Sequence, residues 1–304
     1  MSDRSAPDVP DSTVNHPARR WRPSFGRVDP GAVDEAAATV PAGATEPAKV
    51  SVLGIPLALT DYERTMDWID AMVSARRHGY VSAAAVHLVM VSREDPETRE
   101  AVLGCSLAVP DGQPLVWAMR ALGHDASRVY GPELMARCCE RSARSGTRMY
   151  LYGGRNQGAL VQLALNLRQR YPGVKIVGGY SPPYRALTDS ERHHVVEDIN
   201  GCGADIVWVG IGQPKQEKWM AEYRDRLEAP VLVGVGAAFD FHAGLVPQAP
   251  DWMQRMGLEW LYRLAHEPRR LWRRYLRYNP RFISGFARQY VRSRLPRRRR
   301  RPGT

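Results

Sequence analysis

Asp111 is the residue of this sequence whose position most favours chemistry. It follows the hydrophobic run Leu107–Pro110 and precedes Gly112, so we expect it at the end of a buried strand, where a carboxylate projects into a cleft. A carboxylate there can take a proton from an attacking hydroxyl, and glycosyl transfer with inversion needs one such base. The position also suits a turn or helix-capping aspartate, and from spacing alone both interpretations stand.

Arginines are the second candidate group. In such a transfer, negative charge builds on a nucleoside diphosphate leaving group and must be stabilised by a divalent metal or by fixed cations. The Asp-x-Asp arrangement common in metal-dependent transferases is absent from the strand-end loops, so we expect no metal and no cofactor. Arg128, in Arg128-Val-Tyr-Gly131, and arginines near the C-terminus are the natural substitutes, because a guanidinium fork matches phosphate oxygens. A solvated surface role is the alternative for Arg128.

The segment Gly212-Gln-Pro-Lys-Gln-Glu-Lys-Trp219 is predicted to open a helix directly after a strand. Glu217 in its first turns suits the helix dipole, which is a purely structural role. Gln216 carries an amide that can bind sugar hydroxyls beside a cleft. We therefore expect Gln216 to contribute to the site.

The elements that would position these residues alternate between strands and helices. Strands are predicted over 50–56, 80–86, 107–110, 148–152, 175–177, 206–211 and 231–235. Helices are predicted over 61–73, from His87 through 94–103, and over 114–122, 132–145, 157–171, 190–200 and 214–227. This alternation predicts an α/β fold, a Rossmann-like and mainly parallel sheet with helices on both faces.

Small or polar residues follow four of these strands: Pro110-Asp-Gly112, Gly153-Gly154, Gly210-Ile-Gly-Gln-Pro214 and Gly234-Val-Gly236. Ligands of open α/β sheets bind beyond the carboxyl ends of the strands, where glycine lets backbone N–H groups approach phosphate. The loops together therefore predict a nucleotide cleft that includes Gly154, Gly212 and Gly236, although glycine after a strand is also common turn chemistry. Neither the GxGxxG fingerprint nor a P-loop occurs, which disfavours a Rossmann oxidoreductase and a kinase.

Composition divides the chain into three parts. Residues 1–48 are rich in Pro, Ala, Asp, Ser and Thr and are expected to form a disordered leader. Residues 49–248 carry the α/β core. Residues 249–304 form a basic amphipathic helical C-terminal appendage and tail, with aromatic and leucine residues among arginines, a pattern typical of helices at an anionic membrane surface. A helix packed on the core with an arginine-rich outer face is the alternative.

Charge and cysteine usage narrow the function classes. From Arg263 onward there are fifteen arginines and one acid, against a net charge of +11 for the whole chain, so the core is nearly neutral. A nucleic-acid-binding protein using this tail is the main non-enzyme alternative, but no nucleic-acid fold accompanies it and we expect no such partner. The four cysteines lack metal-ligand spacing, and no run reaches the roughly 18 to 20 apolar residues that span a bilayer, so membrane contact is expected to be peripheral.

Several motifs in order resemble the WecG/TagA/CpsF glycosyltransferases, glycosyltransferase family 26, of bacterial cell-surface polysaccharide and wall teichoic acid synthesis. The resemblance runs from about Val50 to Tyr275. It is carried by Val109-Pro-Asp-Gly112, Arg128-Val-Tyr-Gly131, Leu151-Tyr-Gly-Gly154, Tyr171-Pro-Gly-Val-Lys-Ile176, Gly210-Ile-Gly-Gln-Pro-Lys-Gln-Glu217, Gly234-Val-Gly-Ala-Ala-Phe-Asp240 and Gly257-Leu-Glu-Trp-Leu-Tyr-Arg-Leu264.

The resemblance implies metal-independent, inverting transfer from a UDP-sugar, with N-acetylmannosamine, a uronic sugar or another hexose as the donor sugar. It implies a polyprenyl-diphosphate-linked acceptor, a peripheral site on the cytoplasmic face of the cell membrane, and leaves a homo-oligomer open. It implies Asp111 as the general base, with Arg128 and Gln216 in support. It further implies that Asp240 binds nucleotide and that the appendage adds substrate-binding arginines, matched by Arg263, Arg270 and Arg273.

One departure from the family pattern concerns the end of the second strand. Many members carry Thr-x-Asn there, whereas this sequence has Ala83 and Ala85, inside Val81-Ser-Ala-Ala-Ala-Val-His87. Ser82 or His87 is then expected to supply a polar group nearby. The departure bears on the identity of the sugar and the acceptor and leaves the transferase class intact.

Overall fold

The structure, a computed structural model, describes residues 46–295, apart from the side chains of Asp251 and Arg270. The leader expected over 1–48 lies outside the described residues as far as residue 45, and so does the arginine run 297–301.

A β-hairpin begins the described fold. Strand β1 (Lys49–Val52) pairs antiparallel with β2 (Ile55–Ala58). Leu53 and Gly54 turn the chain with φ values of +53° and +88°, as the tight primed hairpin turns require. The expectation of one strand over 50–56 is therefore wrong, because the turn falls in its middle.

Six parallel strands form the main sheet. They are β3 (Gly79–Ala84), β4 (Leu107–Pro110), β5 (Arg148–Gly153), β6 (Lys175–Tyr180), β7 (Ile206–Gly210) and β8 (Val231–Gly234), in the order β4-β3-β8-β7-β5-β6. Alternate side chains enter opposite faces: Val207 and Val209 join one buried cluster, Ile206 and Trp208 the other. The parallel sheet covered on both faces confirms the predicted fold class.

Nine helices connect or follow these strands as far as residue 242, within the described residues. They are α1 (Tyr62–Ser74), α2 (Val86–Val91), α3 (Pro96–Leu103), α4 (Gln113–Ala121), α5 (Gly131–Ser145), α6 (Gln157–Arg170), α7 (Asp189–Gly201), α8 (Lys215–Tyr223) and α9 (Ala238–His242), with a 3₁₀ turn at Arg224–Arg226.

The helix expected from His87 through 103 is instead two helices. Asp95 is the N-cap of α3, and its side chain accepts the N–H of Glu97. Pro96 occupies the first turn. An N-cap aspartate followed by proline starts a new helix here. Strand β6 also differs from the prediction, because it continues past residue 177 to Tyr180.

The C-terminal region is helical and packs on the core. It comprises α10 (Asp251–Arg255), α11 (Glu259–His266) and the 27-residue α12 (Pro268–Arg294). Leu271 and Phe282 of α12 are buried. The carboxylate of Glu94 accepts hydrogen bonds from Arg277 and Arg281, each at 2.6 Å. The packed-helix alternative thus holds for the inner face of α12.

Gln289 joins the far end of α12 to the β-hairpin. Its Nε2 donates to the carbonyl of Ser51, and its Oε1 accepts the N–H of Leu53, both at 2.7 Å. None of the helices within residues 46–295 has the length and apolar content needed to cross a membrane.

Candidate active site

A cavity of about 1000 Å³ lies beyond the carboxyl ends of the parallel strands, where open α/β sheets bind ligands. We call it the polar cleft. Residues that follow each of the six strands line it, and its wall includes Ala83, Asp111, Gly154, Gly212 and Gly236. The three glycines predicted for the cleft all lie in its wall, at positive φ.

At the floor of the cleft, two glycines lie so close to neighbouring atoms that no side chain would fit. A Cβ on Gly153 would lie 2.6 Å from the carbonyl of Gly210, and a Cβ on Gly210 would lie 2.6 Å from the ring of Phe239. Both distances are below any van der Waals contact. Glycine at these positions lets β5, β7 and α9 close together beneath the cleft.

Asp111 directly follows β4 and faces the cleft. Its Oδ1 accepts the N–H of Gly131, the first residue of α5, at 2.7 Å. Its backbone N–H donates to Ala84 and its carbonyl accepts from Arg128 Nε at 2.5 Å. The aspartate therefore does satisfy a helix N-terminus, as the capping interpretation held, while Oδ2 has no hydrogen bond within residues 46–295 and stays available to a ligand.

Burial raises the pKa of Asp111 to about 6, against the opposing charge of Arg128, the next-largest influence. The neighbouring Glu259 adds to the rise, whereas Gly131 and Arg263 oppose it. A carboxyl with a pKa near the working pH is partly ionised and basic enough to accept a proton. A carboxyl in this position can accept a proton from a hydroxyl bound in the cleft.

Arg128 holds the loop behind Asp111 and does not face the polar cleft. Its guanidinium pairs with Glu259 at 2.5 Å and lies 4.2 Å above the ring of Tyr130. These contacts hold the guanidinium beside the Asp111 carbonyl. In this structure Arg128 therefore positions the aspartate, and its role as a cation for the leaving diphosphate stays a prediction.

Gln216 lies behind the wall of the cleft. It is fully buried, its Oε1 accepts the N–H of Gly236, and its Nε2 donates to Glu217, both at 3.0 Å. Protein groups occupy both ends of the amide in this structure, and its contact with sugar hydroxyls stays a prediction. Gln216 holds the loop that follows β8.

Glu217 is the buried acid of the same network. Its Oε1 accepts from Ser82 Oγ at 2.7 Å as well as from Gln216, and its Oε2 is buried without a hydrogen bond. Burial raises its pKa to about 7, against the hydrogen bonds from Ser82 and Gln216. Ser82 is therefore turned away from the cleft and is not the polar substitute expected there.

Asp240 lines the cleft and is paired with a cation. Arg155 approaches it with two hydrogen bonds, Nε to Oδ1 at 3.0 Å and Nη2 to Oδ2 at 3.2 Å. Arg155 also lies 3.9 Å from Glu267. Arg155 was not predicted from the sequence, although it directly follows Gly153-Gly154 at a strand end.

The appendage contributes two described arginines to the cleft. Arg263 and Arg274 line it, and the Nε of Arg263 is buried without a hydrogen bond. Arg273, expected at the site, is exposed and its guanidinium lies 5.3 Å from the ring centroid of Trp272. Since Leu271 is buried, helical spacing turns Arg274, three residues on, toward the core and Arg273 away. The side chain of Arg270 lies outside the described residues.

A second cavity of about 770 Å³, which we call the apolar groove, adjoins the polar cleft. It lies among α4, α11 and α12, and its wall includes Trp117, Trp260, Tyr278, Phe282 and Phe286. The two cavities share the following five wall residues: Ala85, His87, Asp111, Arg263 and Arg274. Asp111 therefore stands at the boundary between a polar and an apolar compartment.

The boundary also shows what the alanines at the end of β3 change. Ala83 and Ala85 both line the polar cleft, so no side-chain hydroxyl or amide projects from these positions. His87, the other expected substitute, does face both cavities. It is the polar group nearest in sequence to the two alanines on this wall.

Two more features of the cleft were not predicted. Trp219 stacks between Tyr152 and Tyr223, at centroid distances of 4.1 and 4.6 Å, and all three rings border the cleft. Lys215, exposed in the first turn of α8, also borders it. Among the residues that the structure describes, no three His, Cys, Asp or Glu side chains are grouped to hold a metal ion.

One comparison with known proteins bears on this site. The model of the glycosyl transferase WecG/TagA/CpsF family matches residues 50–296. The match includes both cavities, α12 and every described residue discussed above as part of the site.

Proposed function

The chain belongs to the WecG/TagA/CpsF family of glycosyltransferases, and from this premise we propose an inverting transfer of a sugar from a UDP-sugar to a polyprenyl-diphosphate-linked acceptor. The family indicates a glycosyltransferase of cell-surface polysaccharide synthesis. The observation that carries the finer proposal is the position of Asp111, where the polar cleft meets the apolar groove. We propose the donor sugar to be N-acetylmannosamine-like, a uronic sugar or another hexose.

The polar cleft suits the donor. Glycines in its strand-end loops leave the backbone accessible, as in many sites that bind phosphate. Lys215 adds positive charge to its wall, and Arg155 is held at the wall by Asp240. A UDP-sugar bound with its diphosphate over these loops presents its anomeric carbon toward Asp111.

The apolar groove suits the lipid part of the acceptor. Its wall is formed mainly by aromatic and aliphatic side chains, and it is continuous with the cleft through five shared residues. An isoprenoid chain in the groove would therefore bring its diphosphate-linked sugar to the boundary at Asp111. Arg263 and Arg274 flank that boundary, where the phosphates of both substrates come closest.

The proposed step uses Asp111 as the base. Its carboxylate takes the proton of the acceptor hydroxyl while that oxygen bonds to the anomeric carbon, and the bond from this carbon to the β-phosphate oxygen breaks. The products are the extended lipid-linked glycan with inverted configuration and UDP. We propose that arginines of the appendage stabilise the charge on the departing UDP, as fixed cations do, so that the step needs no metal ion.

The outer face of α12 supports a place at the inner surface of the cell membrane. Leu276 and Ile283 are each 68% exposed, and Val291 is 56% exposed. Their spacing of seven and eight residues places them along one side of the helix, with Arg288 and Arg292 exposed nearby. An apolar stripe beside arginines suits an anionic lipid interface.

A two-stage experiment tests this function. First, a panel of UDP-sugars is screened by thermal shift, because a ligand of the native state raises apparent stability. Second, the sugar that binds is supplied with prenyl-diphosphate-linked sugars, and UDP release is measured with and without EDTA. We expect acceptor-dependent UDP release that persists in EDTA. Sequence-selective DNA binding without affinity for any UDP-sugar would contradict the proposal.

A further inference from the structure

His87 is set apart from the other polar residues around Asp111 by its lack of a polar partner. It lies in the first turn of α2, just beyond β3, and borders both the polar cleft and the apolar groove. Its imidazole forms no hydrogen bond with any described residue, and Nδ1 is buried without one. Buried polar atoms are usually paired with protein or ligand, so an unpaired one at a cavity wall calls for a partner.

The surroundings of His87 fix its orientation and its charge. Its ring packs against that of Tyr278 on α12, with centroids 5.1 Å apart and planes at 54°. Burial, together with the positive charge of Arg274, lowers its pKa to about 4. The imidazole is therefore neutral at physiological pH, with one nitrogen that donates and one that accepts a hydrogen bond.

A neutral imidazole is suited to a different part of the acceptor than the arginines beside it. Arg263 and Arg274 flank the same boundary, and their charge suits the two phosphates. An imidazole that can both donate and accept suits hydroxyl or amide groups of a sugar. The sugar next to the diphosphate must pass this boundary if the lipid lies in the groove and the reacting hydroxyl lies at Asp111.

We propose that His87 is an acceptor-binding residue, whose imidazole hydrogen-bonds the sugar of the lipid-linked acceptor at the boundary between the apolar groove and the polar cleft. This inference rests on the proposed function. His87 would then supply the polar contact that Ala83 and Ala85 cannot make at this part of the wall. The alternative is a packing histidine whose only task is its contact with Tyr278.

The test compares His87→Ala, His87→Asn and His87→Phe in the full-length protein. Loss of one hydrogen bond to the sugar corresponds to about a tenfold rise in the KM for the prenyl-diphosphate-linked sugar. We expect this rise in His87→Ala and His87→Phe, partial recovery in His87→Asn, and a KM for the UDP-sugar within about twofold of wild type. His87→Phe keeps the ring packing, so its defect would separate binding from packing.

A binding measurement distinguishes the sugar from the diphosphate. Short-chain prenyl diphosphate without a sugar should bind His87→Ala as it binds the wild type, whereas the prenyl-diphosphate-linked sugar should bind more weakly. An unchanged acceptor KM in His87→Phe, or equal weakening for both probes, would overturn the inference. Should the wild type transfer to no lipid-linked acceptor, the proposed function itself has failed, and the comparison of variants is not reached.

Discussion

The Oε1 of Gln216 accepts the N–H of Gly236 at 3.0 Å, which ties the first turn of α8 to the loop after β8. Gly236 borders the polar cleft, whereas Gln216 has no exposed surface. The shape of the cleft wall thus depends on a residue that no ligand in the cleft can reach.

Replacement of Gln216 by leucine should weaken donor binding through this loop. Leucine keeps most of the volume but removes the acceptor of the Gly236 N–H, and loss of one such hydrogen bond costs about 0.5–1.5 kcal/mol. We expect a lower Tm and a higher KM for the UDP-sugar. Gln162→Leu, an exposed change on α6, serves as the control. Unchanged Tm and KM in Gln216→Leu would show that the bond does not shape the site.

The Asp111→Asn variant tests the base. An amide oxygen can still accept from Gly131, but it cannot take a proton, and loss of a general base typically lowers rates about 10²- to 10⁴-fold. We expect kcat to fall in that range while the thermal shift with UDP-sugar persists. Asp125→Asn, an exposed acid in the loop before α5, should keep full activity. Substantial turnover by Asp111→Asn would assign the base elsewhere.

The dependence of kcat/KM on pH should reflect the titration of Asp111. The base acts as a carboxylate, and burial raises its pKa to about 6, so kcat/KM should rise as pH increases through about 6 and level above it. Steady-state rates from pH 4.5 to 8.5 measure this. Glu217→Gln is the control for the other raised carboxyl, and it should leave the position of the rise unchanged. A plateau that extends to pH 4.5 would contradict the assignment.

Glu217 should make stability depend on pH. Its folded pKa is raised from 4.5 to about 7, so the folded state holds a proton that the unfolded chain releases, and stability falls as pH rises through this window. At 1.36 kcal/mol per pKa unit the loss approaches about 3 kcal/mol. In urea unfolding, the free energy of unfolding of Glu217→Gln relative to the wild type should therefore increase by about 3 kcal/mol from pH 5 to pH 8. A difference that does not vary with pH would mean that Glu217 stays ionised.

Gly210→Ala should destabilise the floor of the cleft. The added methyl would lie 2.6 Å from the Phe239 ring, and overpacking of this kind costs about 1–3 kcal/mol. Gly201→Ala is the matched control, since a Cβ there meets nothing within 4 Å and Gly201 ends α7. Thermal unfolding should show a lower Tm for Gly210→Ala alone. Equal Tm values for the two variants would contradict the close approach.

The sheet could be predicted from sequence because its strands are buried runs separated by helical segments. The hairpin could not, because Leu53 takes a positive φ that a non-glycine residue seldom adopts. Strand ends also predicted the position of the cleft: Asp111, Gly154, Gly212 and Gly236 all border it. Parallel strands bring such positions to one edge whatever the details of packing.

Side-chain direction was the part of the site that sequence could not supply. Gln216 opens a helix beside the cleft yet turns inward, because Gly236 and Glu217 occupy both ends of its amide. Arg273 and Arg274 are adjacent in sequence, and only the burial of Leu271 decides which of them faces the core. The surroundings of His87 likewise depend on Tyr278, whose ring packs against it from α12.

The pairing of Leu53 with Gln289 spans 236 residues. During synthesis the β-hairpin leaves the ribosome first, and the helix segment that binds it leaves near the end. Contacts so distant in sequence form late, since the intervening chain must be ordered first. The same helix builds one wall of the apolar groove, as far as Tyr290, so this wall is completed only after translation has passed Gln289, almost at the end of the chain.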